Sequence, residues 1–388
     1  MRLERGFLAL AEEGYQSRTA AGDVERCLQL GGTDLRDDQL FATLVALAGY
    51  YMTSADLRRA AEVIESLRSG LEEGRLWFRP TIEAMFGVVA WLRGEFSSAG
   101  FHLEVATADE AEADDHKVDA VWFLPDDPIG VAHIHLALIY LVRGDLFGAE
   151  AALARAARRA EQLAFPQGAF TLAYTRAMES WLSIEIGDLD RAAELAASVS
   201  ELGERHGLDQ WRLYGATLQA SADGLAALGT DNRDPAALPG YIATLSTLLD
   251  TWRTFGLNIY LTQSDALLAR LLIAAGQPEA ARERLDTALA LAQDTGMCFY
   301  DAELLRHRAH THTDRDAIQA DLQAALEPAR RQGAALFELR AALDDFELRG
   351  DPARAALATA LSRMPRESTM PEVVMARAAL ESTNSCEA

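Results

Sequence analysis

The residues with the most chemical promise lie close together late in the chain. Glu303, His307 and His310 stand at i, i+4 and i+7, which is one face of a helix, and His312 follows just beyond. Two imidazoles and a carboxylate can hold a divalent transition metal. The plainer interpretation is a polar helix face near a turn, because the sequence shows no facing ligands from a second helix. No metal and no other cofactor is expected. Asp109, Glu110, Glu112, Asp114 and Asp115 could attract calcium, but the EF-hand spacing and its glycine are absent, so a solvated acidic loop is expected over 109–119. His133 and His135 are two apart on a helix, point in different directions, and make no joint site.

Catalytic motifs are missing. A phosphate-binding loop needs a glycine-flanked lysine followed by Ser or Thr. The chain has one lysine, Lys117, in Asp115–His116–Lys117–Val118, which meets neither condition. There is no Gly-x-Ser-x-Gly elbow, no His-Glu-x-x-His and no Cys-x-x-Cys. The expectation is a protein that binds and is not an enzyme.

Charge narrows the partners. The 388 residues carry a net charge of −23, with Asp+Glu 59 against Lys+Arg 36. Such a surface repels phosphates, so neither nucleic acid nor an acidic membrane is an expected partner. The three cysteines, Cys27, Cys298 and Cys386, are far apart and odd in number, which argues against a disulfide framework and for a reducing, cytoplasmic setting. No stretch approaches the roughly 18 apolar residues of a membrane helix, and the N-terminal apolar run is too short for a signal peptide.

The elements that position these side chains are helical hairpins. In Gly256–Gly296, glycines mark the start, the middle at Gly276 and the end, with alanine- and leucine-rich runs between. Gly276 suits the position just past a helix, where positive φ costs glycine nothing, and Pro278 suits the first position of the next. Asp127–Pro128, Asp234–Pro235 and Asp351–Pro352 read as helix starts of the Asp-cap, Pro-first type. Gly276 to Thr313 is 313 − 276 = 37 residues, and Thr313 to Gly350 is 350 − 313 = 37. Such a period, with no alternating β-branched runs, predicts an all-α solenoid of stacked hairpins near the tetratricopeptide period of about 34. The small-and-large pattern of that repeat recurs as Leu136, Ala137, Tyr140, Ala149, Leu153 and Ala156; as Leu47, Ala48, Tyr51, Ala60, Ile64 and Leu67; as Phe86, Gly87, Ala90, Ala99, Leu103 and Ala106; and as Leu268, Ala269, Leu272, Ala281, Leu285 and Ala288. Small residues let helices approach and large ones fill the gaps. The expected organisation is N-terminal capping helices over 1–36, a right-handed repeat superhelix over 37–363, and a C-terminal helix with a polar tail over 364–388. Trp77, Trp91, Trp181, Trp211 and Trp252 are expected to pack, and Trp122–Phe123 to dock on the chain's own helices.

With these motifs in place, the stretches Asp127–Ala160, Gly207–Gly229 and Leu267–Ala309 resemble the tetratricopeptide region of bacterial multidomain ATPase regulators. These include predicted-ATPase and adenylate-cyclase-like proteins and maltose-activator-like transcription regulators. The resemblance covers most of 37–363 and implies a sensor or regulatory module that holds a protein or peptide, or in the alternative a small-molecule effector, in its concave groove. Phe255, Asn258–Ile259 and Thr313 depart from the family pattern, and the ATPase and output modules are absent from this sequence. The family register places ligand contacts on the inner face of the first helix of each pair. Here it selects Tyr174, Trp181, Gln263, Arg270, Tyr300, Glu303 and His307. At the same positions the N-terminal repeats offer Ala42, Val45, Val88 and Val131, which read as packing.

Overall fold

The computed structural model describes residues 5–6, 9–10, 13–31, 37–69, 71, 78–108, 124–229 and 236–382. The acidic segment 109–119, Trp77, Lys117, Trp122–Phe123, Asp234–Pro235 and Cys386 lie outside them. Among the described residues there are eighteen helices and no strand. Helix α1 (Arg18–Gly31) precedes eight hairpins. They are α2 (Asp37–Thr53) with α3 (Leu57–Ser69), α4 (Arg79–Leu92) with α5 (Phe96–Thr107), α6 (Pro128–Val142) with α7 (Leu146–Gln162), and α8 (Gln167–Ile186) with α9 (Leu189–His206). Then come α10 (Asp209–Ala226) with α11 (Leu238–Phe255), α12 (Leu261–Ala274) with α13 (Pro278–Thr295), α14 (Asp301–Ala309) with α15 (Arg315–Gln332), and α16 (Ala335–Arg349) with α17 (Asp351–Arg363). Helix α18 (Pro371–Ser382) closes the series. This is an all-α, tetratricopeptide-like hairpin solenoid. No helix among the described residues is long and apolar enough to cross a membrane.

The hinges share one local solution. At Gly94, Gly144, Gly187 and Gly276, one or two residues past the end of the first helix, the hinge glycine has positive φ. Its N–H, and that of the following residue, turn back onto the last carbonyls, as in Gly144 N to Leu141 O and Asp145 N to Tyr140 O, both 2.8 Å. This double closure satisfies carbonyls that a helix end leaves orphaned. At two of these hinges the next residue also caps the second helix with its side chain: Asp145 accepts from Gly148 N, and Asp188 from Arg191 N, whereas Glu95 and Gln277 make no side-chain cap. The first hinge uses Ala55 at φ 62, where an L side chain is strained. Thr313 takes no left-handed conformation, and Asp314 caps α15 directly. Asp127 caps α6 from Pro128 as expected, whereas α17 begins at Asp351 with Gly350 as its cap, one residue earlier than the Asp–Pro pattern implies.

The small positions are the closest approaches. Ala48, Ala137, Ala269, Ala60, Ala149 and Ala281 are fully buried. A Cβ at Gly87 would sit 2.5 Å from Leu103, and one at Gly215 would sit 2.7 Å from Ser200 N. Helix–helix contact therefore selects small residues there.

The solenoid also closes on itself. Asn258 N and Ile259 N both donate to Thr53 O at 3.0 Å, and Asn258 Nδ2 donates to Ser54 O at 2.9 Å. Phe299 N donates to Leu92 O at 3.2 Å, and Ser368 Oγ to Gly144 O at 2.7 Å. Carbonyls at the first three hinges are thus capped by segments that begin later helices. In this way the sixth hairpin returns to the first, and the seventh to the second. Phe299 lays its ring on Trp91 with centroids 4.3 Å apart.

Candidate functional site

The inner helices of the solenoid, the first of each pair, enclose two separate spaces. The first is an apolar cavity of about 90 Å³, on a measure by which one water needs about 10–15 Å³. Its walls come from hairpins one to six: Val45 and Met52, Ala84 and Val88, Val131 and His135, Phe170 and Tyr174, Trp211 and Tyr214, and Tyr260. Val45, Val88 and Val131 therefore do more than pack. A helical register shows which side faces inward, but not whether that side meets a neighbour or a void.

One hydrogen-bonded chain stiffens this cavity. His135 Nδ1 lies 2.9 Å from Val131 O, an acceptor, so Nδ1 carries the proton and Nε2 is left to accept. Tyr260 donates to Nε2 at 3.0 Å, and the Tyr174 and Tyr260 hydroxyls bond each other. Burial pulls His135 down to about 4, the bond to Val131 opposing, so the ring stays neutral near pH 7. Tyr260 is held at φ 59, an outlier for an aromatic residue, and this aims its ring inward. Trp211 Nε1, Tyr214 Oη and Gln210 Oε1 are buried without a hydrogen-bond partner among the described residues. Asp126 also lines the cavity and accepts from Tyr15 Oη at 2.7 Å. Burial raises its carboxyl to about 6, with Tyr15 opposing and Asp127 adding to the rise.

The second space is an open pocket of about 510 Å³ on hairpins four to eight and α18. Spacing on α14 and its flanks puts Tyr300, Glu303, His307 and His310 on one stripe. Arg340 of α16 crosses the floor. Its Nη1 donates to Glu185 Oε2 at 2.5 Å and to Glu303 Oε2 at 3.1 Å, its Nη2 to Glu185 O at 2.9 Å, and its Nε to Glu372 Oε1 at 2.7 Å. Arg306 donates to both Glu303 oxygens and to Asp344 Oδ2 at 3.0 Å. Burial alone would raise the Glu185 carboxyl, but Arg340, Arg270 and the Tyr300 hydroxyl hold it below its ordinary value. Burial lowers His307 far below the usual imidazole value, and Arg306 and Arg270 add to that, so it is neutral.

Arg270 differs from its neighbours. It lines the pocket yet has no ion-pair or hydrogen-bond partner among the described residues. Burial lowers its pKa, Glu185 and Tyr300 oppose this, and Arg306 and Arg340 repel it. It is a half-buried cation facing open space.

The seven residues selected by the register are therefore divided. Arg270, Tyr300, Glu303 and His307 share the polar pocket, and Tyr174 lies in the apolar cavity. Trp181 is buried and donates Nε1 to Glu185 Oε1 at 2.9 Å, so it supports the polar pocket from below. Gln263 is fully buried, lines neither space and leaves Nε2 without a partner among the described residues. His310 and His312 go to different carboxylates, Asp344 at 2.8 Å and Asp321 at 3.0 Å. No group of three metal-type ligands converges among the described residues. Sequence reasoning missed Glu185, Arg306, Arg340 and Asp344. Glu185 had a usable signal, one turn beyond Trp181 on α8; Arg340 had none, because its partner lies 155 residues away.

No known family model matches the chain. An uncharacterized protein of Rhizobium meliloti (strain 1021) is 25% identical over 307 residues, which are 76% of this chain and 28% of that protein. This chain thus spans under a third of that relative's length. Among solved structures, a Rap protein complexed with competence and sporulation factor has a TM-score of 0.57 at 11% identity, over 99% of this chain and 97% of that one. Aspartyl phosphate phosphatase F from Bacillus subtilis aligns with a TM-score of 0.47 at 10% identity, over 96% of this chain and 94% of that one. At such identities the likeness concerns the fold.

Proposed function

We propose that the chain is a non-catalytic binding module that holds a protein or peptide partner in its C-terminal polar pocket, with Arg270 as the anchor for a carboxylate. The observation that carries this reading is the guanidinium of Arg270, which has no partner among the described residues, at the edge of a network in which Arg306 and Arg340 are each held by carboxylates. An unpaired, partly desolvated cation gains more from an incoming carboxylate than a paired one does. Tyr300 and His307 add a hydroxyl and a neutral imidazole beside it. A Rap protein of the same fold was solved with a bound factor, which favours a partner-holding role.

The wider reading is a sensor or regulatory segment of a signalling ATPase or transcription regulator. It rests on the resemblance of the repeats and on a relative much longer than the stretch it shares with this chain. An anionic small-molecule effector in the same pocket is the alternative, since a metabolite carboxylate would meet Arg270 equally well.

The test is selection from a peptide library with free C-termini, followed by fluorescence anisotropy of the best peptide. Arg270→Ala should weaken it at least tenfold. Failure to select any peptide, or a change under about twofold in folded Arg270→Ala, would remove the peptide reading. Stabilisation by small dicarboxylates with no peptide bound would favour the alternative.

A further inference from the structure

The apolar cavity contains a charge that its lining does not balance. Asp126 and Asp127 are adjacent, yet their surroundings are opposite. Asp127 is buried and held by Arg159 through Nε at 2.5 Å and Nη2 at 3.0 Å. Asp126 accepts from the Tyr15 hydroxyl and has no cationic partner among the described residues. Asp126 is half-buried, and a carboxylate partly withdrawn from water is costly unless a cation or several donors meet it.

What Asp126 faces is aromatic. Phe170, Tyr174, Trp211, Tyr214, Trp252 and Tyr260 line the same cavity. They touch in sequence around it: Phe170 to Trp211 at 5.1 Å, Trp211 to Tyr174 at 5.0 Å, and Tyr214 to Trp252 at 4.9 Å between ring centroids. Asp126 is close enough to Tyr174 for its charge to disfavour ionisation of that hydroxyl. Aromatic faces carry partial negative charge and attract cations, most strongly where water is excluded. An anion would be repelled by Asp126 and by the ring faces. A neutral apolar molecule would leave the carboxylate uncompensated. A cation is favoured by both features, and the protein's net charge of −23 attracts it at a distance.

We infer that this cavity binds a small organic cation, a protonated or quaternary amine with a short apolar body, whose charged nitrogen sits between Asp126 and the faces of Tyr174 and Trp211. The polar atoms left free on the wall, Trp211 Nε1, Tyr214 Oη and Gln210 Oε1, suit a single hydroxyl or carbonyl at the other end of such a molecule. The volume of about 90 Å³ limits it to a small amine. The occupant would touch hairpins one to six together, and so tie the point where the solenoid meets itself. The site shares no lining residue with the polar pocket, and it stands or falls independently of the peptide reading.

The test uses the full chain at pH 7.5, with choline, n-propylammonium and 3,3-dimethylbutan-1-ol as probes. The last is choline with its charged nitrogen replaced by carbon. Isothermal titration and quenching of tryptophan fluorescence report binding. At least one amine should bind with a millimolar or lower dissociation constant, the neutral alcohol should be at least tenfold weaker than choline, and Asp126→Asn should weaken the amine at least tenfold. Absence of binding by both amines overturns the inference. So does equal affinity for the alcohol, which would make the cavity merely apolar, or an Asp126→Asn protein that retains amine affinity. If Asp126→Asn does not fold, the choline–alcohol comparison in the unaltered protein decides alone.

Discussion

The two spaces inside the solenoid handle buried charge in opposite ways. The polar pocket concentrates it: Glu185, Glu303, Arg306, Arg340, Asp344 and Glu372 sit close together, and each charge has a partner of the other sign. The apolar cavity isolates it: Asp126 has no cationic partner among the described residues, and His135 is kept neutral. In the first case mutual pairing offsets desolvation, so the network is structural, and Arg270 is the cation beside it with no partner among the described residues. In the second the offset is absent, so the lone group itself is the candidate. Counting polar residues on an inward face would rank the first region far above the second. Counting unpaired groups puts them level.

The contrast is most directly broken by removing one member of the network. Glu185→Ala leaves Arg340 buried beside fewer anions and deletes the acceptor of Trp181 and Tyr300, so a loss of about 3–5 kcal/mol is expected in urea unfolding. Arg270→Met removes a charge that makes no ion pair or hydrogen bond among the described residues, and should change stability by under about 1 kcal/mol. Equal losses for the two variants would mean that Arg270 belongs to the network after all.

The apolar side can be sharpened through pH. His135 has a folded pKa of about 4 against an ordinary 6.5, so the unfolded chain takes up the proton first. Its contribution is present above pH 6.5 and is lost as pH falls through 6.5 towards 4, by about 3 kcal/mol at full extent. The groups packed on the ring are Tyr174, Tyr260 and Trp91, all neutral there. Asp126 and Asp301, each raised to about 6, act in the reverse sense, gaining stability as pH falls through that value. The measurement is therefore a difference: unfolding free energy of the unaltered protein and of His135→Gln between pH 7 and pH 4. The variant should lose less on acidification; parallel curves would show that His135 is not the neutral buried group described.

The smallest effect concerns a hinge beside the apolar cavity whose residue lines neither space. Ala55 holds φ 62, and Ala55→Gly should relieve that strain for a net gain of about 0.5–1 kcal/mol after the added freedom of the unfolded chain. The same change in a hinge already glycine is impossible, so Ala55 is the internal control. A destabilised Ala55→Gly would indicate that its methyl packs more than its backbone strains.

Much of the fold was legible because its signals are local. Positive φ at Gly276, the caps of Asp127 and Asp314, and the small-residue positions at Ala137 and Ala269 each depend on residues within a few turns, so spacing alone revealed the hairpins. The inward register of α14 was legible for the same reason, which is why Tyr300, Glu303 and His307 fall together. Asn258, which sequence comparison marked as a departure, turned out to cap the first hinge across 204 residues. That role could not be read from its neighbours in the chain.

By itself, then, the sequence determined the hairpin repeat, the positions of its turns and the inner stripe of each first helix. All of these follow from backbone conformation and the 100° step of a helix. The tertiary structure alone decided which stripes meet. Small rotations between successive hairpins accumulate around the superhelix, and only their sum brings Tyr260 to His135, Arg340 to Glu185 and Phe299 to Trp91. The same sum leaves Asp126 and Arg270 without partners among the described residues, because being unpaired depends on every neighbour at once and is written in no single stretch of the chain.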